Sequence, residues 1–244
     1  MKKTKIGIVI PVWERPEVLQ VVVKNLEHFV KKTYYDFRVC HVLSATDKYF
    51  DKNMEICLKA KYDKKIIFAN NNYLGHKHNV GIKELMKDCD YVMNLGSDNL
   101  IHPAIMDLYK PYIDKKEPFF GVNCVYFYEK GEKPFFYSYY NHPHLVGCGR
   151  MIHKTVLKTV FQKFKGLYLP AINRGMDTQS EKRINQLGIK PVSIEVGTFP
   201  YFVDIKSETN ITPIARIKNY PARITYCEKS FLHKHFKYLK YYGK

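Results

Sequence analysis

An α/β fold around a mostly parallel, doubly wound sheet is what this sequence predicts. Three observations point there. Short apolar runs alternate with amphipathic helical runs through the first hundred residues, which is the pattern of βαβ units. The 244 residues suffice to bury one large core. No linker rich in Pro, Gly or Ser and no internal repeat divides them, so the chain reads as a single domain, 1–244.

The elements follow in order. "KIGIVI" (5–10) is a compact apolar strand. "PEVLQVVVKNLEHFVKK" starts with Pro16, suited to a first helical turn. It puts Leu19, Val22, Val23, Leu26, Phe29 and Val30 on one face. "FRVCHVL" (37–43) is a second strand and "KNMEICLKAKY" a helix. "KIIFAN" (65–70) is a third strand, and "GHKHNVGIKELMKDC" a third helix with Val80, Ile82, Leu85 and Met86 inward. "YVMNLG" (91–96) is a fourth strand, with a helical pattern in the "LIHPAIMDLY" beyond it. In the second half, "PFFGVNCVYFY" and "KPFFYSYY" read as strands around a turn at "EKGEK". "TVLKTVFQKF" and "MDTQSEKRINQLG" read as helices and "KPVSIEVG" as a short strand, giving a mixed α+β half.

Composition narrows the function classes. No apolar run approaches the roughly 20 residues that cross a bilayer. The N-terminal run Ile6 to Val12 is broken by Pro11 and followed at once by Glu14 and Arg15, so it reads as a strand and not as a leader. Six widely spaced cysteines without a Cys-x-x-Cys pair suit a reducing, cytoplasmic setting and small core residues. There is no Gly-x-x-x-x-Gly-Lys-Ser/Thr loop and no Gly-x-Ser-x-Gly elbow, against a phosphate-loop NTPase and a serine hydrolase of that design. The net charge of +17 points to a polyanionic partner, with a solvated basic surface as the bland alternative.

The fourth strand ends abruptly on Gly-Ser-Asp-Asn. In an open α/β sheet, ligands sit beyond the carboxyl ends of the strands. Asp98 there supplies carboxylate oxygen for a hard cation, with Asn99 or Ser97 as supplements. Such a cation neutralises a diphosphate leaving group. The same residues also suit a turn or helix N-cap.

Taken in order, "PVWERPEVL", "GHKHNVGI" and "YVMNLGSDNLI" resemble the nucleotide-sugar-binding half of GT-A glycosyltransferases, above all family 2, over about residues 4–115. That family shows an apolar strand ending in Pro-x-x-x-Arg, then Gly-x-x-x-Asn-x-Gly on a helix, then a strand ending in Asp-x-Asp or Ser-Asp-Asp. The matching positions are Pro11 and Arg15, then Gly75, Lys77, Asn79 and Gly81, then Asp98. The resemblance implies a GT-A, Rossmann-like sheet and an inverting transferase that uses a nucleotide sugar, first of all a UDP-sugar, with Mn2+ or Mg2+. Pro11, Val12, Trp13, Glu14 and Arg15 would line the nucleotide, and Lys77 at a helix start would face the diphosphate, which a helix N-terminus also favours. Asn79 belongs to the same motif, and Asp98 would hold the metal. Two departures stand out. Gly96 occupies the place of the family's first metal-motif aspartate, and "SATD" leaves only Asp47 where an acidic pair is usual.

For the acceptor half, 116–215, the resemblance is thinner. "HLVGCGRMIHK" and "INRGMDTQSEKRI" resemble the family's small-residue segment and the helix bearing its base, which makes Asp177 the candidate base. An N-cap role suits Asp177 equally. "YFVDIKSETNIT" puts Asp204, Lys206 and Asn210 after a strand, where Asp204 would complete the metal shell and Lys206 close over the diphosphate. A surface loop is the alternative there. The family's downstream Gln-x-x-Arg-Trp block is absent, which excludes a processive polysaccharide synthase of that kind.

The tail, 216–244, carries eight Lys or Arg against Glu228 alone. Leu232, Phe236 and Leu239 fall on one helical face, with Lys237, Lys240 and Lys244 largely on another. This suits a helix lying on anionic lipid or a clamp on a phosphate backbone, and equally a terminal helix docked on its own domain. Two acceptors follow. One is hydroxymethylated DNA of the kind some bacteriophages make, in the host cytoplasm; the other is a glycan on the inner membrane face, with the protein peripheral to it. A nucleic-acid-binding protein without catalysis is the alternative of another class.

Overall fold

The computed structural model describes residues 3–71, 73–138, 144–207, 210 and 213–242. Its first half runs β1 (Lys5–Pro11), α1 (Pro16–Lys32), β2 (Asp36–Leu43), α2 (Phe50–Lys59), β3 (Lys64–Phe68), α3 (Leu74–Leu85), β4 (Tyr91–Asn94), β5 (Asn99–Ile101) and α4 (Ile105–Asp114). The second half runs β6 (Phe119–Val122), β7 (Cys124–Glu129), β8 (Phe135–Ser138), β9 (Met151–His153), α5 (Lys154–Phe164), α6 (Met176–Asn185), β10 (Val192–Ile194), β11 (Phe202–Lys206), α7 (Ile214–Lys218), β12 (Ile224–Tyr226) and α8 (Lys229–His235).

Seven strands form the main sheet, in the order β10-β6-β9-β4-β1-β2-β3. β3, β2, β1 and β4 are parallel, with Ile6 opposite Phe37 on one side and Tyr91 on the other. β9 alone runs antiparallel to its neighbours. Both faces of β1 are covered, so Ile6 through Pro11 are buried without alternation, as expected for a parallel strand between helix layers. α1 contributes Leu19, Val22, Leu26 and Phe29 to one core, while α3 packs Ile82 and Leu85 into the core on the opposite side.

A second sheet, β12-β8-β7-β11-β5, stands against the carboxyl ends of β1 and β4. Its formation corrects three expectations. "PFFGVNCVYFY" is not one strand: it breaks at Asn123, leaving β6 in the main sheet and β7 in the second. The residues on both sides of the break are buried, so no alternation marks it. Asn99 does not start a helix but opens β5, antiparallel to β11. Asp204 and Lys206 lie within β11 and not after it, with Asp204 opposite Asn99. The three-residue strands β9 and β12 were not anticipated, since three residues carry no period.

For the tail, the reading of a terminal helix docked on its own domain is the one the structure takes. The segment folds as α8 and a 3-10 turn (Lys237–Tyr241), broken at Phe236. Leu232, Phe236 and Leu239 do share a face, yet all three are buried in the main core. The apolar face that lipid insertion would need is therefore covered by the protein itself. Lys244 lies outside the described residues. No described helix is long and apolar enough to cross a membrane.

Two histidines make the fold sensitive to acid. His41 on β2 is fully buried, with Nε2 3.0 Å from the Tyr62 hydroxyl. Burial first, then the charge of Lys64, pushes its pKa down to about 3. His78 on α3 is pushed down to about 3 as well, by burial and then by Lys77. Both are neutral in the fold and protonate near 6.5 once unfolded. Their contribution is intact above pH 6.5 and is lost as pH falls below it. At pH 5 the loss is about 2 kcal/mol for each. Urea melts at pH 7 and pH 5 check this; equal midpoints would contradict it.

Candidate active site

The turn after β1 sets the geometry. Glu14 and Arg15 both adopt left-handed backbone, with φ of 51° and 48°. Two consecutive non-glycine residues in that region cost roughly 1–2 kcal/mol each. The surroundings hold them there. Asp47 Oδ2 accepts from the Glu14 N–H and from Asn53 Nδ2, each at 2.8 Å, and Asn53 Nδ2 also donates to the Glu14 carbonyl. The Arg15 carbonyl accepts the first α1 amides, from Val18 and Leu19, and Pro16 occupies the first turn. So folded, Arg15 turns its guanidinium toward the end of β4, where Nη1 and Nη2 both lie 3.2 Å from Asp98 Oδ2.

Asp98 sits in the turn between β4 and β5. Asn99 closes this turn by accepting the Gly96 N–H on Oδ1 at 2.7 Å, so its side-chain oxygen is already engaged. A Cβ at Gly96 would lie 2.4 Å from Asp98 Oδ1. A side chain at this position would require the Asp98 carboxylate to turn away. Asn210 crosses from the loop after β11: Nδ2 donates to Asp98 Oδ2 at 2.8 Å, and Oδ1 accepts from Arg15 Nη1 at 3.0 Å.

β11 adds a second charged pair. Asp204 Oδ2 accepts from Lys206 Nζ at 2.8 Å. The Asp204 pKa is raised, by burial above all and also by the charge of Asp98, against the pull of Lys206. On the neighbouring strands, Val125 and Phe127 of β7 and Tyr137 of β8 face the same space. The Lys206 ammonium stands 5.1 Å from the Phe127 ring centre.

Across from these groups, α6 begins after Gly175, whose φ is 67°. Asp177, in its first turn, projects over Gly147: a Cβ on Gly147 would meet both carboxylate oxygens at 2.8 Å. Behind it lies Arg150, 1% exposed. Its guanidinium donates to the carbonyls of Val146, Asp177 and Leu145 and to Ser180 Oγ, and pairs with Glu181 Oε1 at 3.0 Å. Glu181 Oε2 lies 2.7 Å from His144 Nδ1.

Arg15, Asp98, Asn210, Asp204, Lys206 and Asp177 line one cavity of about 480 Å3, with Arg150 and Glu181 behind its wall. Of the residues singled out in the sequence, it brings together Pro11, Trp13, Arg15, Ser97, Asp98, Asn99, Asp177, Asp204 and Lys206. Val12, Glu14, Asp47, Lys77 and Asn79 stay outside it, and three of them have structural work instead. Asp47 fixes the Glu14 turn. Lys77 is buried, donating to the Val12 carbonyl at 2.5 Å and to Asn71 Oδ1 at 3.1 Å, and burial pushes its pKa down to about 8. The expected contact of Lys77 with a diphosphate is therefore not what this geometry offers. Asn79 grips the Tyr168 backbone through both ends of its amide, at 2.8 and 3.0 Å, which holds the Tyr168 hydroxyl beside Asn94.

Sequence reasoning missed Arg150, Glu181, Asn94 and Tyr168. A lone arginine inside the apolar "HLVGCGRMIH" was the available signal, because a buried guanidinium needs several acceptors around it.

Three buried polar atoms on cavity residues have no hydrogen-bond partner among the described residues: His78 Nδ1, Asn94 Oδ1 and Asp204 Oδ1. Buried polar groups are ordinarily satisfied, so the cavity suits a polar ligand. No group of three His, Cys, Asp or Glu that could hold a metal occurs among the described residues. Two carboxylates, Asp98 and Asp204, do share the cavity, and Asp204 Oδ1 is unengaged. A hard cation that takes its remaining oxygens from ligand phosphates and water fits this donor set.

No family model matches the chain, and no curated protein matches it in sequence. Solved structures resemble it in fold. The S. aureus TarS 1–349 fragment in complex with UDP-GlcNAc superposes with a TM-score of 0.59 at 14% identity, over 85% of this chain and 60% of that one. The mannosyltransferase PcManGT from Pyrobaculum calidifontis, in complex with GDP-Man and Mn2+, gives 0.57 at 12% identity, over 100% and 66%. A 4-diphosphocytidyl-2C-methyl-D-erythritol synthase gives 0.52 at 13% identity, over 81% and 91%. The chain thus spans 60% of the TarS fragment. Its two mixed sheets with flanking helices are the GT-A, Rossmann-like fold.

Proposed function

We propose that this protein is a glycosyltransferase that moves one sugar from a nucleotide-sugar donor to an acceptor hydroxyl, with inversion at the anomeric carbon. One observation carries the proposal. Asp98 and Asp177, on elements from opposite halves of the chain, line the same cavity at the carboxyl ends of β1 and β4. The nucleotide end, about residues 1–115, holds Trp13, Arg15 and Asp98; the acceptor end, 116–215, holds Asp177; residues 216–244 are the basic, aromatic tail. The donors bound by the neighbouring structures, UDP-GlcNAc and GDP-Man, support a nucleotide sugar here.

Asp177 accepts the proton of the acceptor hydroxyl as that oxygen forms its bond to the anomeric carbon. The bond from this carbon to the diphosphate oxygen breaks, and its electron pair leaves with the nucleoside diphosphate. A single in-line displacement of this kind inverts the anomeric centre. Asp98 and Asp204 would hold a divalent cation such as Mn2+ or Mg2+, which supplies charge neutralisation at the leaving diphosphate. Arg15 and Lys206, each bound to one of these carboxylates, add positive charge at the same end. Arg174 and Arg216 also line the cavity and have no ion pair among the described residues, which supports an anionic acceptor. The net charge of +17 agrees.

A hydrolysis screen tests the proposal, because release of nucleoside diphosphate from a donor needs no acceptor. At least one nucleotide sugar should be hydrolysed in the presence of manganese, and Asp98→Ala should abolish this. Adding hydroxymethylated DNA or anionic glycolipid vesicles should accelerate release for the true acceptor class. A wild-type protein inert toward every nucleotide sugar would end the proposal.

A further inference from the structure

We infer that a second cavity, between the first turns of α1 and the C-terminal tail, is a carbohydrate site that holds a neutral sugar ring apart from the donor cavity. Among the described residues the two cavities share no lining side chain, so the second stands independently of the transferase reading.

Two buried anchors place the tail there. Phe236 and Leu239 sit in the main core and lay the 3-10 turn against α1. Three tyrosines around these anchors then turn toward the helix. Tyr238 is backed by the His28 ring, with 6.5 Å between centres, and Tyr242 by Tyr128 at 6.4 Å. Tyr241 stands 65% exposed. Opposite them α1 presents Glu17, Gln20, Val21 and Lys24, whose spacing puts them on one helical face. Together these side chains enclose about 320 Å3. That volume falls at the small end of ligand pockets, which run from about 300 to 1000 Å3.

The lining selects a ligand class by its mixture. The phenol rings and Val21 offer apolar faces, and Lys24 adds the apolar stem of its side chain. The rim offers a carboxylate, an amide, an ammonium and phenol hydroxyls, so donors and acceptors stand side by side. A ligand of fixed charge suits this poorly. A phosphate would meet Glu17, whose charge, after burial, raises the Tyr242 pKa. A cation would meet Lys24, with Lys237 and Lys240 on the same tail. A pyranose is neutral, carries C–H groups on its ring faces and has hydroxyls around its edge that both donate and accept. It matches each part of the lining. The two cavities flank the start of α1: Arg15 faces one, and Glu17, two residues on, faces the other.

Saturation-transfer NMR on the whole protein tests this with maltose, cellobiose, chitobiose and mannobiose, all neutral disaccharides. At least one should bind, and saturating UDP with magnesium should not displace it. Tyr241→Ala and Gln20→Ala alter exposed side chains, so both should keep the wild-type melting temperature. Tyr241→Ala should weaken the bound saccharide by about tenfold, and Gln20→Ala by severalfold. If Tyr241→Ala does not fold, Gln20→Ala decides. Silence from all the disaccharides would overturn the inference. So would binding that UDP displaces, or that the folded variants leave unchanged, because the sugar would then lie elsewhere. A single-stranded oligonucleotide that binds through Tyr241 while the saccharides do not would also overturn it, since the rings would then be a platform for bases. Failure of every donor hydrolysis would end the transferase reading and leave this result standing.

Discussion

Asp177→Asn is expected to slow sugar transfer by about a thousandfold, with donor affinity and melting temperature unchanged. A positioned general base contributes about 10²–10⁴ in rate, and the amide cannot take up the proton. The substitution preserves shape. It also spares the main-chain contact that matters locally, since Arg150 Nη1 donates to the Asp177 carbonyl and not to its side chain. The carboxylate itself is 56% exposed and its ion pair with Arg150 Nη2 is long, 4.0 Å, so folding depends on it little. Single-turnover transfer, with donor binding followed separately, measures the effect. A variant that transfers within tenfold of the wild-type rate would leave Asp177 as no more than an acid in the first turn of α6, and the base to be sought elsewhere.

The first half of the fold was legible because its signals are long. Four strands, as compact apolar runs, and three helices, with their own period, lie where the pattern put them. The second half was less legible because its elements are short and its chain changes sheets. The break at Asn123 leaves no mark in a run where both flanks are buried. The site shows the same division. Asp98, Trp13 and Arg15 follow strands that the pattern located, so their place at the carboxyl ends could be read directly. Asp204 and Lys206 could not be placed, because their position depends on β11 pairing with β5 and β7, a contact across more than 70 residues. Lys77, Asn79 and Asp47 carry the motif positions, yet their side chains brace the cavity wall. Asn79 grips the Tyr168 backbone, and Gly81 admits no Cβ within 2.5 Å of Val9 Cγ2. A motif residue can be required by packing around a site as firmly as by contact with a ligand, and residue type alone does not separate the two.

Arg150→Met is expected to destabilise the protein by about 3–5 kcal/mol, the cost of leaving a buried charge without its partner. Glu181 is 4% exposed and would lose its guanidinium while keeping the His144 imidazole and the Leu145 amide. The carbonyls of Leu145, Val146 and Asp177 would lose a donor at the same time. Total stability of a domain is about 5–15 kcal/mol, so this change approaches the whole margin. Adding Glu181→Leu should restore part of the loss, because the stranded charge goes with it. Non-additivity in urea melts of the two single variants and the double variant measures the coupling. The consequence for function follows from what the guanidinium ties together. It joins the 145–146 segment to the start of α6, and Asp177 meets Gly147 at that junction. An Arg150→Lys variant that folds should therefore lose kcat more than donor affinity, since lysine keeps the charge but spans fewer acceptors. Equal stability in wild type and Arg150→Met would mean that Glu181 finds other partners and that the start of α6 is anchored by its apolar contacts alone.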